Sequence, residues 1–93
     1  MIKSFRNKET EQVFNNKKPR KLPGDILTRA HAKLLFMNAA KDINDLRSPP
    51  SNHLEALKND RKGQHSIRIN KQWRICFVWK DGHAHDVEII DYH

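Results

Sequence analysis

A chain of 93 residues has the length of one domain, 1–93, and at this size folding buries only about two-thirds of the unfolded surface, which excludes a second catalytic domain. Eighteen Lys and Arg against 11 Asp and Glu leave a net charge of +7 with histidine neutral, so the expected partner is a polyanion: RNA, DNA or an acidic protein segment. One cysteine excludes an internal disulfide, and the lack of a signal-like opening or of eighteen consecutive apolar residues argues against secretion and membrane insertion, so a reducing cytoplasm is expected.

Ile2 to Phe5 alternates apolar and polar residues and predicts a short strand; Asn7 to Asn16 predicts one or two helical turns that carry Val13 and Phe14 inward. The segment 15–24 holds Lys17, Lys18, Arg20 and Lys21 between two prolines and a glycine, and reads as a mobile basic loop. From Asp25, the expected N-cap, Ile26, Leu27, Ala30, Lys33, Leu34, Met37 and Ala40 recur three and four apart and predict an amphipathic helix of about sixteen residues. Leu34, Leu35, Phe36 and Met37 read as core rather than as a cofactor pocket. Ser48-Pro49-Pro50-Ser51-Asn52 cannot lie inside a helix and serves as a connector.

Beyond Pro50 the composition favours strands over His53–Leu57, His65–Ile69, Trp73–Trp79 and His85–Tyr92, with short turns between them and an Asp81-Gly82 hairpin signal. Three or four antiparallel strands after two helices make the class α+β. Alternation puts Trp73, Ile75, Phe77 and Trp79 on one face of the third segment and Arg74, Cys76 and Val78 on the other. It leaves open whether Arg74 meets a substrate or is a solvated edge residue. Cys76, inside an apolar run, is expected to be a buried, unreactive thiol. His83-Ala84-His85 puts two imidazoles on one strand face, but no carboxylate or thiol cluster stands at ligand spacing, so neither a metal nor a cofactor is expected.

Four stretches taken in order, 54–63 (LEALKNDRKG), 65–70 (HSIRIN), 72–77 (QWRICF) and 88–93 (EIIDYH), together with the opening 1–5 (MIKSF), closely resemble the HigB-type toxins of the RelE superfamily. The resemblance runs over nearly the whole chain and is thin between Lys8 and Lys41. It implies a compact antiparallel sheet with two N-terminal helices on one face and a concave basic face opposite. It further implies a ribosome-dependent endoribonuclease that cuts mRNA in the A site of the 70S ribosome without a metal. The implied partner is a cognate antitoxin with a helix-turn-helix domain, through which alone the pair would meet operator DNA. Whether the antitoxin masks the site or bars the ribosome by bulk is left open.

Metal-free RNA cleavage uses the 2′-OH as nucleophile and needs a proton acceptor, cations for the phosphorane-like charge and a donor to the departing 5′-oxygen. An aromatic ring would hold an unstacked base. The resemblance assigns scissile-phosphate binding to Arg74, whose planar guanidinium can grip two oxygens. It assigns RNA contact to Lys58, Arg61 and Arg68. At the chain's end it makes His93 a general acid or base, Tyr92 a stacking or proton-relaying partner and Asp91 an orienting acceptor; a histidine in a tail would otherwise be incidental. Some members carry a histidine in the strand after the connector, where this sequence has Glu55 with His53 two residues before it, so either Glu55 accepts the proton or the chemistry leans on His93 and the cations. Two rival readings stand beside this one: a binding module that docks on antitoxin or ribosome and acts as a co-repressor without cleaving, and a DNA-binding regulator, for which no second helix of recognition-helix character is found.

Overall fold

The computed structural model describes residues 1–92. The elements run α1 (Lys8–Phe14), α2 (Gly24–Ala39), β1 (Glu55–Ala56), β2 (His65–Arg68), β3 (Trp73–Lys80) and β4 (His83–Asp91), with 3₁₀ turns at Ile43–Arg47, Pro50–Asn52 and Asn59–Arg61. The four strands form one antiparallel sheet in sequence order. The class is α+β, as the sequence predicts.

Asn7 caps α1 by accepting from the Thr10 N–H at 2.9 Å. Pro23, not Asp25, occupies the N-cap of α2, because its fixed φ supplies the extended step and Gly24 already turns helically. Asp25 instead sits in the first turn, where its charge favours the helix dipole. Ile26, Ala30, Leu34 and Met37 form the buried stripe of α2 and pack with Val13, Leu46, Ile67, Ile75, Phe77, Val87 and Ile89 in a core between the helices and one face of the sheet. Trp73 and Trp79 flank that core on the same face, so the aromatic face of β3 is its helix side. Leu35 and Phe36 depart from expectation: they lie on the outer face of α2, 48% and 41% exposed.

The segment 2–5 does not become a strand of its own. It makes two isolated parallel bridges to β4, Ile2 to Ala84 and Phe5 to Val87. The cause is a bulge in β4, where Asp86 and Val87 together oppose Phe77 and Asp86 takes a φ of 52°. The bulge shifts the phase of the strand so that Ala84, Val87 and Ile89 all face the core. The outer edge of β4 is covered in pieces: Lys3 N–H donates to Ala84 O at 2.8 Å, Asp86 N–H to Ser4 Oγ at 2.8 Å and Ile89 N–H to the buried Thr10 hydroxyl at 3.0 Å. At the other end of the strand pair, Asp81 and Gly82 both adopt positive φ, the geometry of a two-residue hairpin turn that glycine admits without cost. β1 is two residues long rather than five, because left-handed His53 closes the turn before it and Leu57 is already buried after it.

Candidate active site on the open face of the sheet

The helices cover one face of the sheet, and alternation sends Ser66, Arg74, Cys76, Glu88 and Ile90 to the other. Arg74 is neither solvated nor at an edge. It stands on β3, between β2 and β4, with only 8% of its surface exposed. Its Nε donates to Ser66 Oγ at 2.7 Å, and its Nη2 donates to the His53 carbonyl at 2.6 Å and to Ser66 O at 3.4 Å. Glu55 Oε1 lies 3.6 Å from Nη2, and the Tyr92 ring stacks on the guanidinium at 5.5 Å. Nη1 donates to none of the described residues. A buried cation held by neutral oxygens on one side and half-compensated by a partly exposed carboxylate retains donors that can meet an incoming anion.

Beside this cluster an open groove of about 580 Å³ is lined by Glu55, Lys58, Asp60, Arg61 and Tyr92 among others. Lys58 is exposed at the start of the 3₁₀ turn. Arg61 is less free: its Nη1 donates to Gln64 Oε1 at 3.1 Å and to Glu88 Oε1 at 3.2 Å, and Arg6 approaches the same carboxylate at 3.8 Å. The structure therefore brings together Glu55, Lys58 and Arg61 of the stretch 55–61 with Arg74 of β3 and Tyr92 after β4.

Two residues assigned to the site stand apart from it. Arg68 is the register partner of Arg74, yet its Nε donates to Asn70 O at 3.0 Å and its guanidinium turns toward the β2–β3 turn, away from the Tyr92 groove. Asp91 pairs with Trp73 on the opposite side of β4 and accepts from Gln72 Nε2 at 3.0 Å. His93 lies outside the described residues. The sequence reading missed Ser66, whose place on the Arg74 face could have been found by counting alternation from Arg68, and the His53 carbonyl and Glu88, which leave no local signal.

Burial pushes the Cys76 thiol above its usual range, against the influence of Arg61, so the thiolate is disfavoured although the residue lies on the open-face side. Burial also lowers the pKa of His65, aided by Arg47; its Nδ1 is buried without a hydrogen-bond partner among the described residues, and its ring stacks on Phe77 at 6.2 Å. His83 is shifted down as well, by desolvation and by Lys3. Among the described residues, no three His, Cys, Asp or Glu side chains gather as a metal site requires, and no helix is long and apolar enough to cross a membrane.

Set against known proteins, residues 3–93 match the family of RelE-like toxins of the type II toxin–antitoxin system HigB. The chain is 41% identical over 85 residues to Toxin HigB-1 of Vibrio cholerae serotype O1, covering 90% of each chain. It is 32% identical over 93 residues to Endoribonuclease HigB of Proteus vulgaris, covering the whole of both. Among solved structures, the fold is similar to the YoeB–YefM complex from Staphylococcus aureus, with a TM-score of 0.61 at 16% identity over 100% of this chain and 98% of that one. It is also similar to YafQ from Escherichia coli strain BL21(DE3), with a TM-score of 0.57 at 12% identity over 98% and 93%.

Proposed function

The chain belongs to the RelE-like HigB toxins of type II toxin–antitoxin systems, and from that premise we propose that it is an endoribonuclease that cuts messenger RNA in the ribosomal A site without a metal. The observation that carries this reading is the Arg74 cluster: a guanidinium fixed by Ser66 and His53, roofed by Tyr92 and flanked by Glu55 at 3.6 Å, opening on a groove with Lys58 and Arg61. The relative from Proteus vulgaris, named an endoribonuclease, supports the activity.

In the proposed reaction, a message strand lies over the open face with its scissile phosphate on Arg74 and an unstacked base against Tyr92. Glu55 takes the proton of the 2′-OH as that oxygen attacks phosphorus. Arg74, with Lys58 and Arg61 nearby, stabilises the charge that builds on the non-bridging oxygens. The P–O5′ bond breaks, His93 protonates the departing 5′-oxygen, and the products are a 2′,3′-cyclic phosphate and a 5′-hydroxyl. Asp91, held on the other side of β4, acts through the strand end rather than on the substrate. Translation stops in the cytoplasm until a cognate helix-turn-helix antitoxin captures the toxin and takes the pair to operator DNA. The toxin–antitoxin composition of the YoeB–YefM complex supports such a partner.

The test adds the purified chain to ribosomes programmed with a defined mRNA and maps new 5′ ends by primer extension, alongside Arg74→Ala and His93→Ala. Cuts confined to A-site codons and lost in both variants are expected. Intact message with folded, ribosome-bound protein would replace this reading with that of a binding module.

A further inference from the structure

A second groove, of about 640 Å³, is lined by Arg29, Lys33, His53, Arg68 and Lys71 among others and shares no lining residue with the Tyr92 groove. Arg29 and Lys33 stand one turn apart on α2, Arg68 ends β2, and Lys71 lies in the β2–β3 turn. No Asp or Glu lines the groove. None of the four Lys and Arg side chains has an ion pair among the described residues, whereas Arg6, Lys21, Arg61 and Arg74 each have one.

Three of the four cations are aimed by neutral oxygens, which fix direction without cancelling charge. Arg29 Nη1 donates to Ile69 O at 3.1 Å, Arg68 Nε to Asn70 O at 3.0 Å, and Lys33 Nζ to Oδ1 of the buried Asn52. Holding like charges together is unfavourable, and partial burial and the neighbouring Arg29 keep Lys33 below the usual lysine range. An ordered, uncompensated cationic groove of this kind becomes favourable when an anion fills it. The groove borders the Arg74 cluster: His53 lines it and its carbonyl accepts from Arg74 at 2.6 Å, and Arg68, the register partner of Arg74, turns into it.

We infer that this groove binds backbone phosphates of the single-stranded message flanking the cut. The identity of the polymer rests on the RNA-cleaving reading above; the anion site itself rests on the charges. A repeating phosphate chain that leaves Arg74 past His53 can meet several of these cations, and cations spread along a groove suit such a chain better than a single carboxylate.

The test is binding without ribosomes. A fluorescein-labelled 20-nucleotide oligoribonucleotide is titrated by anisotropy over a range of salt, with the native chain, Lys71→Gln and Lys33→Gln/Lys71→Gln. Removing one cation from a phosphate lowers the slope of log affinity against log salt by about 0.7 for a single strand, so the slope should fall by about 0.7 and about 1.4. Lys71 is exposed and makes no side-chain hydrogen bond or ion pair among the described residues, so its substitution leaves the fold intact and remains decisive even if loss of the Lys33–Asn52 bond unfolds the double variant. An unchanged slope in Lys71→Gln overturns the inference. So does a Lys71 dependence seen only with vacant ribosomes, which would assign the groove to ribosomal RNA, or only with a polyglutamate peptide, which would assign it to an acidic protein segment. Because the readout is affinity, a chain that fails to cut RNA yet shows the slope change overturns the nuclease reading alone.

Discussion

Arg74 on β3 donates through Nε to Ser66 Oγ on the neighbouring β2 at 2.7 Å, at a point where both residues are buried. The bond sets the rotamer of the guanidinium and satisfies one of its donors where water cannot. Ser66→Ala should therefore lower stability by about 1–3 kcal/mol, as expected when a charged buried donor loses its acceptor, and should lower mRNA cleavage at least about tenfold. Denaturant melts beside the ribosome assay measure the two effects. Full stability in the variant would mean that Ser66 O and His53 O suffice to hold Arg74.

Glu55 separates charge compensation from proton transfer. Its side chain is 47% exposed and its ion pair with Arg74 spans 3.6 Å, so Glu55→Gln should cost less than about 1 kcal/mol of stability. If it accepts the 2′-OH proton, the turnover rate should fall by about 10²–10⁴. An unchanged turnover rate would move the proton acceptor to His93.

Tyr92 and His93 should fail differently. Tyr92 is 40% exposed and touches Arg74 through its ring face, so Tyr92→Leu should leave folding within about 0.5 kcal/mol and weaken substrate binding by about 1–3 kcal/mol of stacking, seen mainly in KM. His93→Ala should instead lower kcat with little change in KM. Equal effects of both on KM would argue against an acid role for His93.

His65 makes stability depend on pH. Its folded pKa lies below the usual 6.5, so the unfolded chain binds more protons between the two values. The folded state is then most stable above about pH 6.5 and loses stability as pH falls through the folded pKa. His65→Leu removes a buried Nδ1 that has no partner among the described residues and should flatten the loss seen in denaturant titrations as pH falls below about 6.5. A variant that loses stability with acid as steeply as the native chain would assign the loss to other groups.

Asp86 holds the bulge that brings Val87 into phase with Ala84. At a φ of 52° a β-branched side chain is strained, so Asp86→Val should cost about 1–2 kcal/mol while Asp86→Gly should change stability little. Thermal melts of the pair decide it; equal melting points would mean that the bulge relaxes.

Local signals carry the elements a short way. The three- and four-residue spacing of Ile26, Ala30, Leu34 and Met37 identifies α2 and its buried stripe, and Asp81-Gly82 identifies the β3–β4 hairpin, because each depends on neighbours within one turn. Leu35 and Phe36 lie outside the core because apolar character alone does not say which side of a helix faces it. The segment 2–5 reads as a strand in isolation, but whether it forms a ladder depends on a bulge in β4 some eighty residues away.

The same division holds for the site. Charge, the ordered stretches from Leu54 to His93 and the alternation of β3 were enough to establish the family, the α+β class and the face on which Arg74 lies. Only the tertiary structure decided what Arg74 touches, that Arg68 turns into a different groove from its register partner, that Asp91 takes the other side of β4, and that Arg29 and Lys33 of α2 meet Lys71 in a groove without carboxylates. The reason is physical: alternation and periodicity fix the side of an element to which a residue points, whereas the orientation of a long cationic side chain is set by acceptors brought to it by other parts of the chain.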